Sequence, residues 1–397
     1  MRRAAVVLGL VVALLATACG SSSHKAATTT AASTAPQEYT GPDDGFYTVP
    51  SPLPGKQHGD LIRYQRLADV PGGHAYRVMY RSTSVPGADI AVTGLAAVPT
   101  TAGKDRVVLT WAHGTTGIAD SCAPSKLPAQ TLDPHMQAFL SRGWDVAATD
   151  YEGLGTPGRH PYLAGVSEGR GTLDIVRAVR QIPASDAGTR TIVWGHSQGG
   201  HAAVFADQLA ASWTPELQVL GTVAGAPPSE LPLIAAALKG GNFQGYLAMA
   251  AAGINAAYPQ AKLEDLLTPK GLEILPIVDT GCTDKVFAAY NGIKYDDFVK
   301  ADPATIPSWK QALEANDPGH AKLESPLLII HGEADEQIPP IASALLMKRL
   351  CSQAETVERR TYPGMHHAEV IGPSFAPMLT WMDDRVAGKP AANGCPK

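Results

Sequence analysis

One serine in the chain stands where it could act as a nucleophile. Thr191-Ile192-Val193-Trp194 reads as a strand, Gly195-His196-Ser197-Gln198-Gly199-Gly200 as a tight turn, and Ala202-Ala203-Val204-Phe205 as the start of a helix. A serine at such an apex has a strained backbone, and strand and helix approach closely only if the residues two before and two after it lack side chains. Gly195 and Gly199 meet that need.

A hydroxyl is a poor nucleophile until an imidazole takes its proton, and the imidazole needs a carboxylate to fix its tautomer. In a sheet entered this way the partners follow in the order Ser, acid, His. Leu327-Leu328-Ile329-Ile330-His331 is a strongly apolar strand, and Gly332-Glu333-Ala334-Asp335 is the loop that leaves it; Asp335 is preferred to Glu333 as the acid. Tyr362-Pro363-Gly364-Met365-His366-His367 offers two imidazoles in a Pro/Gly loop, of which His367, at its far end, is preferred and His366 stays open. A metal site is not expected, since adjacent histidines point apart in an extended loop and no partner pair at ligand spacing stands nearby.

Acyl transfer also needs backbone N–H donors where the oxyanion forms. One is expected from Gln198, directly after the serine. The other is expected from Thr115, in the loop His113-Gly114-Thr115-Thr116-Gly117 that leaves the strand Val107-Val108-Leu109-Thr110-Trp111-Ala112. His201, His160 and Glu152 are read as packing or turn residues.

These residues need a sheet to hold them. Segments 75–84, 89–98 and 106–113 read as an antiparallel start. Strands at 145–150, 190–194 and 219–224 then alternate with helical periodicity at 133–142, 168–181 and 199–211, and the rhythm resumes with strands at 327–331 and 356–362 and helices at 341–350 and 373–386. The fold class expected is α/β, with a mostly parallel central sheet and helices on both faces. Residues 229–323, rich in Ala, Gly and Leu, break the rhythm and read as a helical cap inserted before the acid-bearing strand, which divides the core into 38–228 and 324–397. No internal repeat is found.

Composition agrees: 45% hydrophobic and 17% charged residues over 397 positions describe a folded protein, and a net charge of −5 argues against nucleic acid as partner. Residues 1–18, with Arg2 and Arg3 before an apolar run and Ala16-Thr17-Ala18 at its end, read as an export signal. Cys19 directly after it resembles a lipidation site, although Leu15 stands one place too early for a standard lipobox. Lipidation at Cys19, with membrane attachment through that lipid, is preferred to free secretion, because it leaves an even set of Cys122, Cys282, Cys351 and Cys395. Residues 19–37, nearly all Ser, Thr and Ala, read as a flexible tether.

Taken together, segment 111–117, Asp150-Tyr151-Glu152-Gly153-Leu154-Gly155, segment 195–200, Ala224-Gly225-Ala226-Pro227-Pro228, Gly332-Glu333-Ala334-Asp335 and segment 363–367 resemble the secretory lipase family of α/β-hydrolases, over about residues 74–384. The resemblance implies the α/β-hydrolase fold, lipase or esterase activity on acyl esters or lipids, a helical cap over the acyl site and no cofactor. It makes Ser197 the nucleophile, Asp335 the acid, His367 the base, and Thr115 and Gln198 the oxyanion donors. The doubled histidine and the lipobox-like start depart from the family pattern. Two other readings remain: a serine peptidase of the prolyl oligopeptidase type, which shares the fold, and a non-catalytic surface binding lipoprotein. Of three possible disulfide pairings, Cys122 with Cys282 and Cys351 with Cys395 is favoured, the first tying the cap to the core.

Overall fold

The structure is a computed structural model that describes residues 36–396. The expected export signal, Cys19 and most of the expected tether lie outside the described residues. Val107-Val108-Leu109, Val146-Ala147-Ala148, Ile192-Val193-Trp194 and Leu328-Ile329-Ile330 are apolar at consecutive positions, and all are buried. Such runs suit strands covered on both faces, the setting of a parallel sheet.

Ten strands form one sheet among the described residues: β1 (Gln37–Glu38), β2 (Leu61–Arg66), β3 (Gly73–Thr83), β4 (Asp89–Pro99), β5 (Arg106–Ala112), β6 (Asp145–Thr149), β7 (Ala187–His196), β8 (Gln218–Gly225), β9 (Leu327–Gly332) and β10 (Val357–Tyr362). Their order is β1-β2-β3-β4-β6-β5-β7-β8-β9-β10. β2, β3, β4 and β6 pair antiparallel in turn, and from β6 through β5 to β10 every pairing is parallel. This corrects one expectation. Segment 106–113 does not pair with the strand before it; β6, formed later, lies between β4 and β5. β5 is buried along almost its whole length, so it takes an interior place between two strands that cover both its edges.

Helices cover both faces. On one, α2 (Pro134–Leu140) and α13 (Ile371–Val386) bury Phe139, Leu140, Met378 and Met382 against Leu109, Val146, Ile192 and Leu328. The short α1 (Pro128–Thr131) precedes α2. On the other face α3 (Gly165–Val179) packs Ile175, Val176 and Val179 on Val108 and Ala147, α4 (Gln198–Trp213) packs Ala203 and Ala206 on Val193, and α12 (Pro340–Ser352) packs Leu346 and Leu350 on Ile329. α3 and α4 lie very close: a Cβ at Gly169 would stand 2.9 Å from the backbone of Phe205 and Ala206.

Between β8 and β9 the chain leaves the sheet for a run of helices: α5 (Leu231–Leu238), α6 (Gly245–Ala257), α7 (Leu263–Leu266), α8 (Pro269–Ile274), α9 (Thr283–Tyr290), α10 (Tyr295–Phe298) and α11 (Pro307–Ala315). Met249, Ile254, Val278, Val286, Phe298 and Trp309 give this insertion its own apolar core. Arg349 of α12 ion-pairs with Glu230 at its entry and Asp317 near its exit. On its far side the Cys122–Cys282 disulfide, the bond from Thr283 N–H to Thr116 O at 3.1 Å and the Arg159–Asp279 pair tie it to the loop after β5 and to the chain after β6. A second disulfide, Cys351–Cys395, pins the C-terminal tail to α12. Both pairings are the expected ones.

Candidate active site

Ser197 sits between β7 and α4 with φ 59° and ψ −125°, a backbone region that an L residue occupies only under strain. Two glycines make the bend possible. A Cβ at Gly195 would run into the Gly199 carbonyl, and a Cβ at Gly199 into that of Ala112. Ser197 N–H donates to Gly225 O at 2.8 Å, fixing the elbow to the neighbouring strand end. The side chain of Ser197 opens into a cavity beneath the insertion.

Asp335 and His367 come together beside this bend. His367 Nδ1 lies 2.7 Å from Asp335 Oδ2, and the N–H groups of Gln337 and Ile338 donate to Asp335 Oδ1 at 2.9 and 2.8 Å. Burial by itself would raise the Asp335 carboxyl, but donors from His331, His367 and Ile338 outweigh it and hold it well below the usual carboxylate range. Since a carboxylate only accepts, His367 carries its proton on Nδ1, which leaves Nε2 free as a base. Nε2 is buried and has no hydrogen-bond partner, Ser197 Oγ included. Catalytic hydrogen bonds commonly tighten only with substrate in place. The ring of His367 packs on that of His196, the residue before the serine, with centroids 4.8 Å apart. Burial holds His196 down to about 3, so it stays neutral and adds no charge beside His367.

The alternatives left open by the sequence go elsewhere. His366 is half-exposed and turns Nδ1 to Glu336 Oε2 at 2.9 Å, a bond that raises its pKa. Glu333 is exposed and accepts from Thr361 Oγ1 at 2.7 Å.

The loop after β5 closes the other side. Gly114 backs onto the elbow: a Cβ there would stand 3.4 Å from His196 O and 3.7 Å from Ser197 Cβ. Thr115 follows, its Oγ1 bonded to Tyr162 OH at 2.8 Å. Tyr151, at positive φ, donates to His113 O at 3.0 Å and holds the strand exit. The Gln198 N–H opens α4, where the first helical donors have no intrahelical acceptor.

A buried polar network lies below the elbow, joining Gln198 and residues read from the sequence as packing or turn residues to Glu168 and Asn316, which the sequence did not mark. Gln198 Nε2 donates to Glu168 Oε1 and meets His160 Nε2, each at 2.8 Å. His201 Nδ1 lies 2.7 Å from Glu168 Oε2, and its Nε2 lies 2.8 Å from Asn316 O at the end of the insertion. His160 Nδ1 donates to Glu152 O at 2.7 Å, and burial lowers its pKa to about 4, as suits a neutral ring accepting from Gln198. Glu168, in the first turn of α3, gave no signal; His331, four residues before Asp335, was visible but its contact was not.

The cavity at Ser197 runs into the insertion between Leu163, Ile234, Leu238, Leu247, Ile254 and Leu313. Two of its polar walls are paired: Tyr162 OH with Thr115, and Tyr246 OH with Gln337 Oε1 at 2.9 Å.

A serine elbow, a buried His–Asp pair on later loops and this sheet order define the α/β-hydrolase class. The secretory lipase model matches residues 126–394, more than half of the chain, and the chain belongs to that family of carboxylic-ester hydrolases. A secreted triacylglycerol lipase of Malassezia globosa is 27% identical over 382 residues, covering 89% of this chain and 83% of that protein. Lipase A of Moesziomyces aphidis is 26% identical over 360 residues, covering 83% and 77%. Among solved structures, Candida antarctica lipase A in its closed state has a TM-score of 0.77 at 24% identity, covering 88% and 87%. The rice cell wall degrading esterase LipA of Xanthomonas oryzae has a TM-score of 0.69 at 18% identity, covering 84% and 97%. These two share the fold.

Proposed function

We propose that this exported lipase or esterase works through Ser197, His367 and Asp335, with the N–H groups of Thr115 and Gln198 as oxyanion donors. Ser197 Oγ attacks the ester carbonyl carbon while its proton passes to His367 Nε2; the tetrahedral oxyanion is held by the two N–H groups; collapse expels the alcohol, which takes that proton. Water repeats the cycle on the acyl-enzyme and frees the acid. Asp335 keeps His367 in the Nδ1–H tautomer and stabilises the transient imidazolium.

The observation that carries this reading is the apolar cavity that begins at Ser197 and enters the helical insertion, which we read as a cap over residues 229–323. Its mostly apolar walls suit an acyl chain better than a peptide's amides. Turnover of p-nitrophenyl esters of increasing chain length, set beside an aminoacyl-nitroanilide, tests it. Ester hydrolysis with preference rising beyond the shortest chains is expected; cleavage of the anilide alone overturns it. Cys19, outside the described residues, is proposed as the lipid anchor. Export is supported by the secreted relatives and the two disulfides; a Cys19→Ser variant released into the medium would support the anchor, and unchanged retention would refute it.

A further inference from the structure

We propose that His331 is a positioning residue that holds the Asp335 carboxylate ionised and correctly turned for His367; the proposal rests on the reading of Asp335 and His367 as acid and base. His331 ends the run Leu327-Leu328-Ile329-Ile330 and is fully buried, at 0% exposure. A leucine or phenylalanine would pack there without the cost of burying a polar ring. Its Nε2 lies 3.0 Å from Ile338 O and 3.2 Å from Asp335 Oδ2. Both neighbours only accept, so Nε2 carries a proton. That N–H bonds Ile338 O, securing the turn whose own N–H groups hold Asp335 Oδ1, and lies against the carboxylate oxygen Oδ2.

The remaining nitrogen is supported in turn. Nδ1 lies 2.8 Å from Ser343 Oγ, and Arg359 Nε–H donates to that hydroxyl at 2.9 Å and Arg359 Nη2 to Pro340 O at 3.0 Å. Ser343 Oγ, which accepts from Arg359, has one proton to place between His331 Nδ1 at 2.8 Å and Pro340 O at 3.1 Å. A chain of polar contacts thus runs from Arg359 through Ser343 and His331 to Asp335, which meets His367 on the same oxygen, Oδ2. The other titratable groups around this point are His196 of β7, whose ring lies tilted against that of His367, Tyr246 of α6, bonded to Gln337, and the exposed Glu336, bonded to His366.

Without the His331 donor the buried carboxylate becomes more basic, binds the His367 proton more tightly and raises the pKa of the base. It also loses one restraint on its rotation. A purely structural histidine would lower the folded fraction and leave the pH profile of the remaining enzyme unmoved.

The test uses the whole protein, with active sites counted by a fluorophosphonate titrant so that kcat refers to competent molecules. His331→Leu is expected to lower kcat by about 10- to 100-fold with KM little changed, and to move the acid limb of kcat/KM upward by about half to one pH unit. His331→Gln, which can set an N–H near the place of Nε2, should recover most of both. A fully titrating His331→Leu variant with wild-type kcat and acid limb overturns the proposal. If that variant does not fold, Ser343→Ala, which frees Nδ1 with the ring in place, should move the acid limb the same way by less, and an unmoved limb overturns it. A wild type that the titrant does not label removes the triad reading itself, and the proposal with it; labelling together with unmoved variants removes only the role of His331.

Discussion

His367 Nδ1 meets Asp335 Oδ2 at 2.7 Å, while its other ring nitrogen is buried with no partner. His196 Nε2 is also buried without a partner, but of the two only His367 has a carboxylate on its other nitrogen, and His201 satisfies both of its nitrogens with Glu168 and Asn316.

The doubled histidine therefore divides by environment. His367→Ala should lower kcat on a soluble p-nitrophenyl ester by at least about 10³-fold. His366→Ala removes only a half-exposed ring paired with Glu336, and kcat should stay within about threefold, in line with the small worth of exposed pairs. The reverse ranking in steady-state assays would reassign the base.

Asp335→Asn keeps the shape of the side chain and reverses part of its chemistry. An amide can present N–H to His367 Nδ1 and favour the wrong tautomer, so kcat should fall by about 10⁴-fold with little loss of thermal stability. Circular dichroism melts beside the kinetics would separate this from unfolding.

The Cys122–Cys282 bridge spans 160 residues of sequence and stands beside the loop that carries Thr115. Cys122→Ser with Cys282→Ser should cost about 2–5 kcal/mol in urea unfolding. Because Thr283 N–H also holds Thr116 O, kcat should fall as well. A variant as stable and as active as wild type would show that the tie does no more than decorate the surface.

His160 gives a stability that depends on pH. Its pKa is about 6.5 in an unfolded chain and about 4 when folded. Below about 6.5 the unfolded state takes up a proton that the folded state refuses. Stability from this group is thus complete above that pH and is lost as pH falls toward about 4. Comparing urea unfolding of wild type and His160→Gln over this window should show the wild type losing about 3 kcal/mol relative to the variant. A constant difference would mean that His160 titrates normally in the fold.

Local spacing made the elbow legible, because Gly195, Ser197 and Gly199 state within five residues what the bend requires. Chain order after Ser197 pointed to Asp335 and His367 for the same reason: each lies in a short loop after a later strand, apolar β9 for Asp335 and charged β10 for His367. Pairing across the sheet was not legible in this way. β5 follows β4 directly in sequence, yet β6 separates them, and only the burial of both edges reveals it. Likewise Glu168 and His331 look like ordinary polar residues until the fold removes them from water. Their partners His201 and Ser343 lie 33 and 12 positions away, beyond any local pattern for the first and concealed by a turn for the second.

Intact-mass analysis of the protein after treatment with a fluorophosphonate most directly tests whether Ser197 is the activated nucleophile. Wild type should gain a single phosphonyl group, mapped by peptide digestion to Ser197, and lose ester hydrolysis in proportion; Ser197→Ala should gain none and show no turnover above background. Undiminished hydrolysis by Ser197→Ala, or a label found on another serine, would contradict it.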